Sequence, residues 1–309
     1  MSAELAGGAK KNTAKKNTIR ISARDRVYYA IINVILGVFF AAVLAPLINI
    51  VACSFSSSDA VLKGKVLLWP VQFNLEGYKA VFEYKGIWRS YWNTIYYTVF
   101  GTFINLFMTM FAAYPLARKG LPLKKPVVML FMFTMLFSGG MIPNYLLIRN
   151  LRWINTVWAI VIPGAISVYN MIIARTFIQG IPSDIEEAAK IDGCSDIYYF
   201  WKVVMPLSKT VIAVLALYYA VGHWNDYFTP WLYMNKPEKY PLQIILRTIL
   251  VMNTFDAESM LEDDLIANKA LQDLLKYSLI IVSSVPILVA YPFAKKFFLK
   301  GVMIGALKG

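Results

Sequence analysis

The chain has few of the groups that perform chemistry. Its 309 residues include one histidine, His223, and two cysteines, Cys53 and Cys194. A single histidine excludes paired-His metal motifs and counts against a Ser-His-Asp triad. No G-x-x-x-x-G-K-[ST] phosphate loop occurs, so the chain itself is not expected to bind or hydrolyse ATP. Acidic residues are scarce, 18 Asp and Glu against 31 Lys and Arg. None of them falls inside the long apolar runs. That removes the intramembrane carboxylate that ion-coupled carriers commonly use, although backbone carbonyls remain possible sodium ligands. An ion-coupled secondary transporter is the alternative this absence disfavours. No metal site and no cofactor is expected on this chain.

What is abundant is apolar residue, 58% of the chain, against about 45–50% in soluble domains. It is gathered into runs at roughly 27–52, 92–115, 127–148, 157–178, 203–223 and 277–298. Each is about as long as a helix needs to cross a bilayer. The expected fold is an all-α integral membrane protein with six transmembrane helices. The first run is too long for a signal-peptide core and no clear small-residue cleavage site follows it, so it reads as a retained helix. Pro46, Pro115, Pro163, Pro230, Pro286 and Pro292 lie in or near the runs. Each removes a backbone donor and can kink a helix.

Lys and Arg set the orientation. The tail 1–26 carries Lys10, Lys11, Lys15, Lys16, Arg20, Arg24 and Arg26. The 116–126 connection carries Arg118, Lys119, Lys124 and Lys125, and the C-terminal end carries Lys295, Lys296, Lys300 and Lys308. Six crossings put these segments and 179–202 on one side, with 17 of the 31 basic residues. The longer opposite loops, 53–91, 143–156 and 224–276, hold 12. Both termini are therefore expected in the cytoplasm, and Glu258, Glu262, Asp263 and Asp264 outside. The net charge of +13 reads as this asymmetry plus attraction to anionic membrane lipid, not as nucleic-acid binding. Residues 1–20 are Lys/Asn/Thr-rich and read as disordered. Cys53 and Cys194 fall on opposite sides, so no disulfide is expected.

The polar segment 182–206 has the most local information. Pro182-Ser183-Asp184 starts a helix, and Ser183 with Glu186 fits a capping box. Asp184, Glu186 and Glu187 suit the positive end of the helix dipole. Gly193 stands where a left-handed residue would end the helix. Ser195 can cap a second short helix running to about Lys202, and Pro206 opens the next span. Ile185, Ala188, Ala189 and Asp192 share one face. The alanines keep that face thin enough for close approach by a partner, and Glu187 is free to pair across it.

Spelled with its spacing, Glu187-Ala188-Ala189, Gly193 and Val203-x-Met205-Pro206 read EAA-x3-G-x9-V-x-M-P. This resembles the cytoplasmic loop of bacterial ABC-importer permeases, EAA-x3-G-x9-I-x-L-P, with two apolar swaps. Asn93-Thr94 and Tyr114-Pro115-Leu116-Ala117-Arg118 resemble the start and the first helix end of that family's five-helix core. Ser138-Gly139-Gly140-Met141-Ile142-Pro143 and Gly222-His223-Trp224-Asn225 resemble the carbohydrate-uptake, MalG-like permeases, closest to the LplC/YtcP group. The resemblance covers about residues 27–309. It implies a five-helix permease core plus one N-terminal helix. The implied division is a basic cytoplasmic tail 1–26, a first helix and external loop 27–91, a core 92–298 and a cytoplasmic tail 299–309.

By resemblance, Glu187, Ala188, Ala189, Asp192, Gly193 and Pro206 form the ATPase-coupling loop. The implied partners are a second homologous permease, two ATPase subunits that carry ATP and Mg, and an extracellular solute-binding protein. The implied cargo is a carbohydrate, an oligosaccharide, moved across the bacterial cell membrane by a subunit that is not itself an enzyme. Sugar recognition mixes aromatic faces with polar groups, which makes Tyr169, Asn170, Tyr218, Tyr219, Trp224, Asn225, Asp226 and Tyr227 substrate-route candidates. An aromatic belt at the membrane boundary is the competing reading, and it is the stronger one for Trp88, Tyr91 and Trp92. His223 reads as a structural residue near an outer boundary. The apolar stretch from Leu242 reads as an external amphipathic helix that could meet the binding protein or rest on the chain itself.

Overall fold

A computed structural model describes residues 22–84, 86–252 and 274–292. All regular secondary structure among these residues is helical. The basic residues before Ser22, the acidic cluster Glu258–Asp264 and the lysines after Pro292 lie outside the described residues. The chain forms two compact units, residues 1–48 and 49–309.

The first unit contains most of α1, Ala23–Ser54. Its large apolar side chains, Val34, Phe39 and Phe40 among them, are exposed. Pro46 is accommodated without breaking the helix. A helix this apolar and this exposed suits lipid rather than water.

In the second unit, α2 (Ser58–Leu62) and α3 (Glu76–Glu83) precede the unbroken α4, Ile87–Ala117. Then come α5 (Lys124–Leu136), α6 (Met141–Asn150), α7 (Val157–Val161) and α8 (Val168–Gln179). The polar segment supplies α9 (Ser183–Ile191), α10 (Asp196–Tyr199), a π-helical turn at Phe200–Val204 and α11 (Met205–Leu207). The chain continues with α12 (Lys209–Asn225), α13 (Phe228–Tyr233), a 3-10 turn at Pro237–Lys239, α14 (Leu242–Met252) and α15 (Leu274–Pro292). The apolar stretch from Leu242 is thus helical, as expected.

Among the described residues three helices, α1, α4 and α15, are each long and apolar enough to cross a membrane. Two bent pairs raise that number to five if each counts as one span. They are α5 with α6, turned by 110°, and Asp196–Leu207 with α12, turned by 79°. The run at 157–178 is divided instead, because Pro163 and Gly164 fall between α7 and α8. Proline has no N–H to continue the ladder, so several backbone groups there need other partners.

α4 supplies them. At 31 residues it is about 46 Å long at 1.5 Å per residue. In its middle, Asn105 Nδ2 donates to the carbonyls of Gly164 (2.6 Å) and Ala165 (3.1 Å). Asn105 Oδ1 meets His223 Nε2 of α12 at 2.6 Å. One turn on, Thr109 Oγ1 bonds the Tyr219 hydroxyl at 2.6 Å, and that hydroxyl accepts from Ser167 N–H at 3.1 Å. Apolar surroundings offer no water to satisfy a broken span, so these buried side chains hold the break in place.

Near its start, α4 holds the 237–242 segment. Asn93 Nδ2 donates to the carbonyls of Glu238 (2.8 Å) and Tyr240 (3.1 Å), and Thr94 Oγ1 accepts from Leu242 N–H at 2.8 Å. Val81 and Ile87 share an apolar cluster with Leu242 and Leu279. At the other end a larger core joins Met110, Ala113, Leu116, Met171, Ala174, Phe200, Val204 and Leu215. α4 is therefore the axis on which α8, α12 and the polar 182–206 segment are assembled.

Candidate functional site

The segment 182–206 folds as helix, turn, helix. The sequence supports α9 with acidic residues in its first turn, Asp184 and Glu186, and Lys190 in its last, each at the favourable end of the helix dipole. The expected capping box does not form. Pro182 occupies the N-cap, Ser183 is already helical, and no side chain caps this end. Glu186 is drawn elsewhere, to Arg118 and Lys190.

The C-terminal end matches the expectation for Gly193. Its φ is +71°, a conformation that costs residues with a Cβ. Gly193 N–H donates to Lys190 (3.1 Å) and Cys194 N–H to Ala189 (2.9 Å), the two bonds of a Schellman ending. Ala189 and Cys194 both pack on the main core, so the turn is stapled from beneath. Ser195 then caps α10, accepting from Tyr198 N–H at 3.3 Å. This second helix runs on through the π turn to Leu207, beyond the expected end near Lys202. The change of direction falls at Ser208, two residues past Pro206.

Arg118, the last residue of the Tyr-Pro-Leu-Ala-Arg string, ties this segment to α4. Its guanidinium bonds Glu186 of α9 at 2.6 Å and Asp196 of α10. It also donates to the Tyr114 hydroxyl at 3.2 Å, which donates in turn to the Asp196 carbonyl at 3.3 Å. Arg118 and Glu186 are mostly sheltered, with side-chain exposures of 18% and 25%, so they are screened less than a surface pair. Burial works against the Arg118 charge, but the bonds to Asp196 and Glu186 outweigh it and raise the pKa. Lys190 first, then Arg118 against the cost of burial, hold Glu186 below the usual carboxylate range. The α4 terminus is pinned from behind as well. Arg175 Nε donates to the Leu116 carbonyl (3.0 Å), and Lys124 Nζ to those of Arg118 (2.9 Å) and Ala117 (3.3 Å). Cations at a helix C-terminus satisfy free carbonyls and oppose the negative end of the dipole.

The neighbouring glutamates divide their roles. Glu186 turns inward to Arg118, whereas Glu187 is exposed and enters none of the ion pairs among the described residues. Ala188, Ile191 and Asp192 are exposed with it, and Ala189 is half-buried. The result is a small, thin, acidic outer face on a braced helix, which is suited to contact with a partner. A cavity of about 490 Å³ lies between the end of α4 and the second helix, lined by Phe111, Pro115, Phe200, Trp201 and Arg118. Among the described residues no group of three or more His, Cys, Asp and Glu side chains could hold a metal ion.

The substrate-route candidates separate into two kinds. Tyr169, Tyr218 and Asn225 are exposed. Tyr219, Trp224 and Asn170 are buried; Tyr219 holds the break between α7 and α8, and Trp224 Nε1 donates to the Ser283 carbonyl at 3.0 Å. Asp226 is half-buried and accepts from Thr229 N–H at 3.1 Å. Arg118, Asn105 and Arg175 carry much of the arrangement and are absent from the sequence-based candidates. In the sequence Arg118 stands out as a basic residue after an apolar run and as the end of the Tyr-Pro-Leu-Ala-Arg string, with no bridging role assigned to it. Nothing local distinguishes such a charge from one that merely sets topology.

The sequence profile described as "Binding-protein-dependent transport system inner membrane component" matches residues 19–261. The polygalacturonan/rhamnogalacturonan transport system permease protein YtcP of Bacillus subtilis (strain 168) is 38% identical over 286 residues, 93% of this chain and 100% of that protein. Protein LplC of the same organism is 39% identical over 297 residues, 96% of this chain and 100% of LplC. Among solved structures, a chain of a bacterial ABC transporter involved in the import of the acidic polysaccharide alginate aligns with a TM-score of 0.82 at 33% identity. That alignment covers 91% of this chain and 100% of the other.

Proposed function

The chain belongs to the family of binding-protein-dependent transport system inner membrane components and is a permease subunit of an ABC importer; on that premise we propose that it imports a carbohydrate, an oligosaccharide, as one half of the translocation route. The observation that carries the coupling part is the braced helix α9, which presents Glu187, Ala188 and Asp192 outward while Gly193 and Arg118 fix its two sides. A rigid, thin face of this kind is what an ATPase subunit needs in order to push on a membrane protein. Pro206 lies in the stretch that leads from this loop into α12.

In this reading the ATP and Mg reside on two separate ATPase subunits, and a second homologous permease completes the pore. An extracellular binding protein delivers the sugar, with α14 as a surface it could meet. The chain crosses the membrane six times, the divided 157–178 run included. Both termini and the coupling loop are cytoplasmic. The tail 1–26, the 27–91 segment, the core 92–298 and the tail 299–309 keep their expected roles. The carbohydrate assignment is supported by the relatives, whose names specify polygalacturonan/rhamnogalacturonan and alginate. Tyr169, Tyr218 and Asn225, exposed and suited to sugar by chemistry, are the route residues we favour. Asn170, Tyr219, Trp224 and Asp226 act on the route by shaping its wall.

The test is a pull-down of the tagged chain from native membranes, with partners identified by mass spectrometry. The variant is Glu187→Lys/Ala188→Lys, which leaves the packed Ala189 untouched. Wild type should bring down a second permease and a P-loop ATPase, and the variant should lose only the ATPase. Wild type bringing down no ATPase from intact membranes would refute the coupling role.

A further inference from the structure

The motion of the coupling loop has two ways into the membrane. One follows the chain from α10 through the π turn and α11 into α12. That path contains a π-helical turn at Phe200–Val204 and then a 79° bend at Ser208. The π turn departs from the regular i to i−4 ladder and the bend redirects the chain, so this path is not a straight continuous rod. The other path crosses through space, from α9 and α10 to Arg118, and enters the unbroken α4.

We infer that Arg118 is the positioning residue through which the stroke enters the membrane, and that α4 is the stem that carries it. This rests on the coupling-loop reading given above. Arg118 is suited to the task because it holds both helices of the loop at once, α9 through Glu186 and α10 through Asp196. A planar guanidinium with several donors can bridge two carboxylates in fixed geometry, which a lysine cannot do equally well. The end of α4 cannot slip freely, because Lys124 and Arg175 bond its last carbonyls. From there the helix is unbroken to Ile87. Along it lie Thr109 and Asn105, which hold the broken run, and then Thr94 and Asn93, which hold the 238–242 segment. A displacement of α4 thus reaches the middle of the membrane and the far loops through direct hydrogen bonds in a packed interior that transmits strain.

The experiment uses the full complex in proteoliposomes. Cys53 and Cys194 are replaced by Ser, and Trp88→Cys, at an exposed position in the first turn of α4, reports motion at the far end. The labelling rate with a membrane-impermeant thiol reagent is read with and without ATP plus vanadate. A nucleotide-dependent change is expected with Arg118 present. It should be lost in Arg118→Gln, with the ATPase still co-purifying and hydrolysing ATP, and restored in part by Arg118→Lys. The Glu186→Gln/Asp196→Asn double variant should lose it in the same way. Three results would overturn the inference: no change with Arg118 present, a change that survives in Arg118→Gln, or loss of ATPase binding in Arg118→Gln. The last would make Arg118 part of the docking surface only. Failure of the otherwise unmutated complex to contain an ATPase would instead refute the coupling reading on which the inference rests.

Discussion

Gly193 offers a graded test of the coupling turn. Its φ of +71° is in the left-handed region, and a Cβ added there would meet nothing within 4 Å. Sterics with neighbouring residues therefore contribute nothing, and only backbone conformation matters. Alanine in the left-handed region costs about 1 kcal/mol, roughly fivefold in the population of the closed turn. Asparagine tolerates this region and should cost less. Proline is different in kind. It fixes φ near about −65°, and it removes the N–H that donates to Lys190 at 3.1 Å. The Schellman ending is then lost, α9 and α10 no longer keep their angle, and Cys194 is pulled from the core. Substrate uptake, normalised to membrane-inserted protein, should fall in the order glycine, asparagine, alanine, proline, with proline near background and insertion unchanged. Proline transporting at the wild-type rate, or alanine transporting worse than proline, would show that the turn conformation is not what couples.

Two further outcomes test the interior and the latch. A Cβ at Gly101 would lie 2.5 Å from His223 Nε2, whose ring is already fixed by its bond to Asn105. Gly101→Ala should therefore destabilise by about 2 kcal/mol from overpacking, and His223→Ala in the same chain should cost less than the sum of the two changes. Additive losses of thermal stability would place the clash elsewhere. For the latch, the folded pKa of Glu186 lies below its ordinary value, so its contribution is present above the unfolded carboxylate pKa, about 4.3. It is lost as pH falls through the lower, folded value. The gap in thermal stability between wild type and Glu186→Gln should be constant near neutral pH and close only in acid below about pH 4; a gap that closes near neutrality would contradict this origin.

Much of the architecture was readable from pattern alone. Runs of about 20 apolar residues without Asp or Glu identify membrane helices whatever surrounds them, because the bilayer imposes its own length and polarity. The EAA-G-P spacing is local too. A helix with an acidic first turn, a left-handed glycine and a serine cap lie within 25 residues, so Gly193 and Ser195 took their expected conformations. The capping box failed because its glutamate had a stronger partner more than sixty residues away in sequence, Arg118 at 2.6 Å. The 157–178 run shows the same limit. Composition marks it as continuous, and Pro163 warns of a kink, but only side chains of α4 and α12 make a full break tolerable. Local rules fixed the elements, since propensity, capping and hydrophobic length act over a few turns. Tertiary structure decided which charges are inward, which aromatics are walls, and which helix is the axis. Those outcomes depend on buried polar groups finding partners far along the chain, and no local pattern encodes that search.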